Sequence, residues 1–392
     1  MNDLLTGRHD PTLLRRRYDH DMTPGARLVT LMLPALLCAA CAPTPLLPYR
    51  PEQPPTVALP AALAGITDAR AAFAALLDAE LRATGDAGQD SWLHAARPNQ
   101  APVSATSAVA AAFAARAPST SVLVVGGLFG DCLGPLAVPF GDGVIRAPGV
   151  SLEEGYRQYD DLGLRAIRLV AVPGRASSEA NGRLVAETIR AEAMRQDVQR
   201  IVVIGYSKGL VDALHALAML QRDGGVPSKL TALVSVAGAV MGTPLADFYQ
   251  PVYDAISPWV APFECTPSQG GDMDSLTRRA RIAWLVANPP PAGPAYYSIV
   301  AHAPLDEMAP PLRVTARQLA VIDPRNDGQL IAADAVLPAS TLLAEARADH
   351  WDVAIPRDRD PNPLLRAATS GRSYPRAALF RATLKWVLAT GP

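Results

Sequence analysis

Along residues 119–392 two kinds of apolar pattern alternate. Short, continuous, β-branched runs occur at 121–125, 166–172, 201–204, 230–236 and 295–300. Predominantly apolar runs of this length suit strands buried on both faces. Between the second and third lies a helix-like stretch carrying Leu184, Ile189 and Met194, and between the third and fourth another carrying Leu210, Leu214 and Leu217. Strands alternating with helical segments predict an α/β domain with a mostly parallel sheet, right-handed crossovers and helices on both faces. Upstream, Phe73, Leu76, Leu77 and Leu81 follow helical spacing and, with Trp92 and Leu93, predict a helical lead-in over residues 61–118. One connection is out of scale: about sixty residues separate Val236 from Tyr296. An insertion of that size above a sheet, at about 247–292, is a candidate lid or cap.

The N-terminal sixty residues follow another logic. Residues 28–40 carry no charge, Arg27 precedes them, and Ala39 and Ala40 lead into Cys41. The run is too short to span a bilayer as a helix and reads as the apolar core of an export signal. Cys38-Ala39-Ala40-Cys41 resembles the lipobox of bacterial lipoproteins, with Cys38 where leucine is usual. That resemblance implies cleavage before Cys41, its lipidation, and attachment to the periplasmic face of a membrane. The alternative is a cleaved signal that leaves a soluble periplasmic or secreted protein. Residues 1–21, with Arg15, Arg16, Arg17 and several acids, suit no signal well, so Met22 is a second candidate start. Pro43, Pro45, Pro48, Pro51, Pro54, Pro55 and Pro60 make residues 42–60 a semi-rigid, extended tether.

Composition narrows the functional classes. With 392 residues, 49% of them hydrophobic, the chain can bury one large core, and a formal net charge of -1 exerts no general pull on nucleic acid or anionic membrane. Only Cys132 and Cys265 remain beyond the signal; in an oxidising compartment they either form one disulfide or stay as two thiols. No metal-ligand spacing, phosphate-binding loop or dinucleotide fingerprint stands out, and no cofactor is called for.

The candidate chemistry sits at Gly205-Tyr206-Ser207-Lys208-Gly209. A bare GxSxG arises by chance in roughly one chain in eight of this length, so its context decides. Residues 200–204 before it read as a buried strand and residues 210–217 after it as a helix. A sharp strand-to-helix turn strains its central residue and lifts the hydroxyl clear of the backbone, while the new helix aims its free N–H groups at the same place. On these residues the chain resembles the α/β-hydrolase superfamily, closest to its lipase and esterase branch, over residues 119–390. The resemblance extends to Val124-Val125-Gly126-Gly127-Leu128-Phe129-Gly130, similar to the loop that supplies an oxyanion donor, and to Gly242-Thr243-Pro244 ahead of the insertion. It implies a nucleophile at Ser207 and oxyanion donors at the backbone N–H groups of Leu128 and Lys208.

A serine nucleophile needs a base and an orienting acid, which follow it in the order acid, then histidine, in this superfamily. His215 lies on the helix after the elbow and His302 ends a strand-like run, so both read as structural. His350, in a polar loop before the last helix, is the expected base. Asn326-Asp327-Gly328 resembles the acid-bearing turn of bacterial lipases, making Asp327 the expected acid and Asp323 the alternative; Asp-Gly is also a turn signal in its own right. Phe248, Tyr249, Tyr253, Trp259, Phe263 and Trp284 enrich the insertion in aromatics, as an acyl-binding lid or as a small core beneath a cap. Lys208 is a candidate partner for an anionic substrate group. The expected activity is hydrolysis of carboxylic esters with an acyl chain. An acyltransferase using the same residues and a non-catalytic envelope lipoprotein retaining the fold are the alternatives.

Overall fold

The computed structural model describes residues 65–85, 92–94, 104–128, 138–141, 152–256, 270–359 and 363–392. The signal with Cys41, the proline-rich tether and both Cys132 and Cys265 lie outside them.

Seven strands form one sheet: β1 (Thr67–Asp68), β2 (Thr120–Val125), β3 (Ala166–Val170), β4 (Arg200–Tyr206), β5 (Leu230–Val236), β6 (Ala295–His302) and β7 (Thr341–Arg347). Their spatial order is β1-β7-β6-β5-β4-β2-β3, and every pairing is parallel. Nine helices are described: α1 (Arg70–Thr84), α2 (Ser104–Arg116), α3 (Ser178–Met194), α4 (Lys208–Arg222), α5 (Pro244–Ile256), α6 (Arg278–Ala287), α7 (Pro310–Ala320), α8 (Pro363–Ala367) and α9 (Arg376–Thr390). Alternation along the central strands explains the two-sided layering. Val122, Val124, Val202 and Ile204 face a core shared with Phe73, Leu76 and Leu77 of α1 and Phe380 and Leu384 of α9. Their neighbours Leu123, Val125, Ile201 and Val203 face the opposite core, with Val185 and Ile189 of α3 and Leu210, Leu214 and Leu217 of α4. Successive residues of a strand point to opposite faces, so an uninterrupted apolar run needs cover on both.

Five strands stand where the apolar runs predict them, with β3 ending two residues early and β6 running on to His302. The other two are additions. Thr341-Leu342-Leu343-Ala344-Glu345-Ala346-Arg347 is built mostly from good helix formers, yet it pairs with β6 from Tyr297↔Thr341 to His302↔Arg347. The exposed backbone edge of β6 overrides local propensity there. The lead-in contributes β1, which pairs with the start of β7, and Leu93 bridges antiparallel to Ala346 at the other end of the same strand. The lead-in therefore covers an edge that would otherwise present unpaired N–H and C=O groups.

The insertion after β5 contains α5, a short 3-10 turn at Asp274–Leu276, and α6. Its second half is fastened to the body. Arg281 is buried at 1% exposure, donates from Nε to the Val240 carbonyl at 3.1 Å, and lies over the Trp284 ring at 4.7 Å. Trp284 in turn stacks on His215 of α4 at 4.2 Å. Among the described residues no helix is long and apolar enough to cross a membrane.

Candidate active site

Chain direction changes beside β2: its own crossover leads outward to β3, whereas β4 lies on its other side. In parallel sheets the crevice at such a point, beyond the strands' carboxyl ends, is where ligands bind. Ser207 occupies the turn between β4 and α4 with φ 55° and ψ -125°, a conformation rarely adopted by an L-residue. Two glycines make the turn possible. A Cβ on Gly205 would lie 2.4 Å from Leu210 Cα, and one on Gly209 would lie 2.2 Å from the Val125 carbonyl oxygen. Any side chain at either position would push α4 off the sheet. The strained backbone is secured to the neighbouring strand: Ser207 N–H donates to the Val236 carbonyl at 3.2 Å, and the Ser207 carbonyl accepts from Ala239 N–H at 3.2 Å.

His350 follows β7 by three residues and reaches the elbow. Its Nε2 lies 2.9 Å from Ser207 Oγ, and its Nδ1 lies 2.7 Å from Asp327 Oδ2. With the proton on Nδ1, donated to the carboxylate, Nε2 is left as the acceptor for the serine hydroxyl. The Asp327 carboxylate is itself held: Oδ1 accepts from Gln329 N–H at 2.8 Å and Leu330 N–H at 2.6 Å. Gly328 takes φ +89° to close this turn, so the Asp-Gly turn geometry and the contact with His350 coexist. Serine, aspartate and histidine are 9%, 1% and 2% exposed. Gly127 approaches from the end of β2, where an added Cβ would lie 3.4 Å from Ser207 Oγ; Leu128 is the next residue. The Gly242-Thr243-Pro244 turn is joined to the acid loop, since Thr243 Oγ1 donates to the Gln329 carbonyl at 2.6 Å.

The remaining candidates are placed elsewhere. Asp323 pairs with Arg325 at 2.9 Å rather than with the histidine. His302 stacks on His94 at 3.6 Å and lies 3.5 Å from Glu345 Oε2. His215 is packed between Trp284 and Arg281, and burial, with Arg281 and Lys208 nearby, pushes its pKa down to about 3. The reading of Lys208 as a partner for an anionic substrate is corrected. Its ammonium lies 2.7 Å from Asp212 Oδ1, one helical turn along, with both side chains 1% exposed. Of the insertion's aromatics, Phe248 and Tyr249 pack edge to face at 4.9 Å, and Tyr249 shares hydrogen bonds with Gln318. Trp284 covers His215, while Trp259, Phe263 and the Tyr253 side chain lie outside the described residues. Two groups were not anticipated. The Tyr206 hydroxyl donates to the His350 carbonyl, and the Asp349 carboxylate accepts three backbone N–H groups around the histidine loop. The bonds from Tyr206 to His350 and from Ala309 to Asp349 join residues far apart in the sequence, with no shared signal. Among the described residues no group of three or more His, Cys, Asp or Glu side chains could hold a metal ion.

No protein-family model matches this chain, and no curated protein matches it. Solved structures do. A metagenomic carboxyl esterase superposes with a TM-score of 0.70 at 29% identity, over 90% of this chain and 98% of that one. Lipase 1 from Pelosinus fermentans matches at a TM-score of 0.48 and 11% identity, over 70% of this chain and 99% of that one. The mature form of a Bacillus licheniformis lipase matches at 0.46 and 15%, over 68% and 92%. With its parallel sheet, the strained serine between β4 and α4 and its likeness to that carboxyl esterase, the chain has the α/β-hydrolase fold.

Proposed function

We propose that this protein is a serine hydrolase of carboxylic esters in which Ser207, His350 and Asp327 act together. The observation that carries this reading is the continuous relay from Ser207 Oγ through the imidazole to Asp327, at 2.9 and 2.7 Å. The likeness to a carboxyl esterase over 90% of the chain supports it. Ser207 Oγ attacks the ester carbonyl carbon while its proton passes to His350 Nε2. Asp327 holds the imidazole in the tautomer that can accept that proton and stabilises the resulting cation. The oxyanion is received by the N–H groups of Leu128 and Lys208, each such donor being worth about 3 kcal/mol. Collapse expels the alcohol, which takes the proton back from His350. Water then repeats the sequence on the acyl-serine and releases the acid. The insertion that opens with α5 is our candidate for a cap over the acyl chain, and the Thr243 bond to the Gln329 carbonyl supports this by joining its start to the Asp327 turn.

The test is covalent labelling by a fluorophosphonate together with turnover of a p-nitrophenyl ester. Ser207→Ala abolishes labelling, and Ser207→Ala and His350→Ala reduce turnover to a common floor on the order of 10⁴-fold or more below the parent, with the double variant little lower. Asp327→Asn costs less, and Asp323→Asn leaves turnover near the parent's. Full activity in His350→Ala, or damage from Asp323→Asn with Asp327→Asn silent, overturns the assignment.

We further infer that Cys41 carries a lipid that holds the domain at the periplasmic face of a membrane through the proline-rich tether. The lipobox-like sequence at 38–41 supports this. Several acyl chains hold a protein firmly where one does so only marginally. Cys41→Ser moves the protein from the membrane to the soluble fraction and changes its mature mass; no change in either refutes the anchor.

A further inference from the structure

His350 sits in a loop just beyond β7, where the hydrogen bonds of the sheet no longer fix the backbone. Four contacts hold it instead. Two are made by the ring, to Ser207 and Asp327. The other two are made by its backbone: His350 N–H donates to the Asp327 carbonyl at 2.8 Å, and the His350 carbonyl accepts from the Tyr206 hydroxyl at 2.7 Å. Tyr206 is the last residue of β4, paired with Val236, so the strand sets its direction. Its ring lies 5.3 Å from the imidazole, tilted by 33°, within the core beneath the sheet end. A single dipeptide therefore presents the hydroxyl that meets the imidazole and the hydroxyl that anchors the backbone carrying it.

We propose that Tyr206 is a positioning residue, whose hydroxyl fixes the His350 backbone relative to the elbow and so sets the approach of the imidazole to Ser207. This rests on the Ser207-His350-Asp327 reading above. Proton transfer needs the donor and acceptor held to within a few tenths of an ångström, and loss of one backbone anchor loosens that geometry more at the transition state than in the resting enzyme. Burial drives the Tyr206 pKa well above the ordinary tyrosine range, so the hydroxyl stays a donor throughout the working pH range. No substrate contact is assigned to it, so the effect falls on turnover rather than on binding.

The experiment compares the full-length chain with Tyr206→Phe, which keeps the ring and removes the donor. Tyr374→Phe is the control, because the Tyr374 hydroxyl is also buried and donates to a backbone carbonyl, that of Trp92 at 3.3 Å. Active sites are counted with a fluorophosphonate, kcat and KM are measured on a p-nitrophenyl ester, and thermal unfolding is followed in parallel. In Tyr206→Phe, kcat per titrated site falls roughly tenfold, the factor carried by one buried hydrogen bond, while KM stays within about twofold. Tyr374→Phe lowers only the unfolding temperature. If Tyr206→Phe keeps the parent's kcat per titrated site, whatever its stability, the positioning role is wrong while the triad stands. If Ser207→Ala keeps esterase activity and labelling, the triad reading fails, and this proposal with it.

Discussion

Asp349 and Asp352 place two buried carboxyls on either side of His350. Asp349 accepts from Ala309 N–H at 2.7 Å, Trp351 N–H at 3.0 Å and Asp352 N–H at 2.8 Å, which shapes the histidine loop. The Asp352 carboxylate accepts from the Ser370 hydroxyl, and burial, followed by the Asp349 charge, pushes its pKa up to about 7. In the unfolded chain an aspartate titrates near 4, so between about 4 and 7 the folded protein holds a proton that the unfolded chain has released. The sign follows: the contribution of neutral Asp352 to stability is full below about 4 and is lost as pH rises through about 7. Asp352→Asn removes the titration. Its melting temperature relative to the parent should improve from pH 5 to pH 8.5, by the equivalent of something on the order of 2 kcal/mol. A constant difference across that range, followed by calorimetry, would show that Asp352 does not titrate there.

Among the elements, α4 carries the most unusual burden for its length. It opens on the strained elbow and encloses the Lys208–Asp212 ion pair, with Asn181 of α3 donating to the same carboxylate at 2.8 Å. Two charges taken out of water attract each other strongly but forfeit their hydration, so a buried pair adds little net stability and is costly to break. Asp212→Ala strands the ammonium and should cost about 3–5 kcal/mol in denaturant unfolding. Lys208→Met combined with Asp212→Leu removes both charges and should recover most of that loss; a double variant as unstable as the single one contradicts this account. The other elements show where local pattern suffices. β5 stands at 230–236 as its apolar run predicts, because a β-branched run between turn residues has few other uses. β7 is the contrary case, since nothing in Leu342, Leu343, Ala344 and Ala346 distinguishes a strand from a helix until β6 offers its edge.

At the scale of the whole molecule, the lead-in is part of the hydrolase domain. α1 buries Phe73, Leu76, Leu77 and Leu81 against α9, with Phe73 edge-on to Trp386 at 6.1 Å and Glu80 accepting from Lys385 at 2.5 Å. Arg70 reaches Glu345 on β7 at 2.5 Å, and β1 and Leu93 cover that strand's outer edge. A chain beginning at residue 62 keeps all of these contacts and should remain folded and active. One beginning at residue 95 loses roughly 2 kcal/mol for each large apolar side chain removed and exposes the sheet edge. It should aggregate or unfold well below the longer chain's melting temperature. Equal solubility and melting temperature for the two would show the lead-in to be dispensable.

The amino-acid sequence alone determined what depends on near neighbours. The central apolar runs demanded a two-sided parallel sheet, the two glycines around Ser207 marked a turn too tight for side chains, and Asn326-Asp327-Gly328 specified a turn that turns its own carboxylate inward. Each rests on residues within a few positions of one another, where backbone sterics and side-chain period act directly. The tertiary structure decided what depends on distant partners. It made a strand of residues 341–347, fastened α6 through Arg281 to the Val240 carbonyl, and brought the Tyr206 hydroxyl to the carbonyl of a residue far along the chain. A side chain's partner across such distances is set by how the layers close on each other, and composition or spacing holds no trace of it.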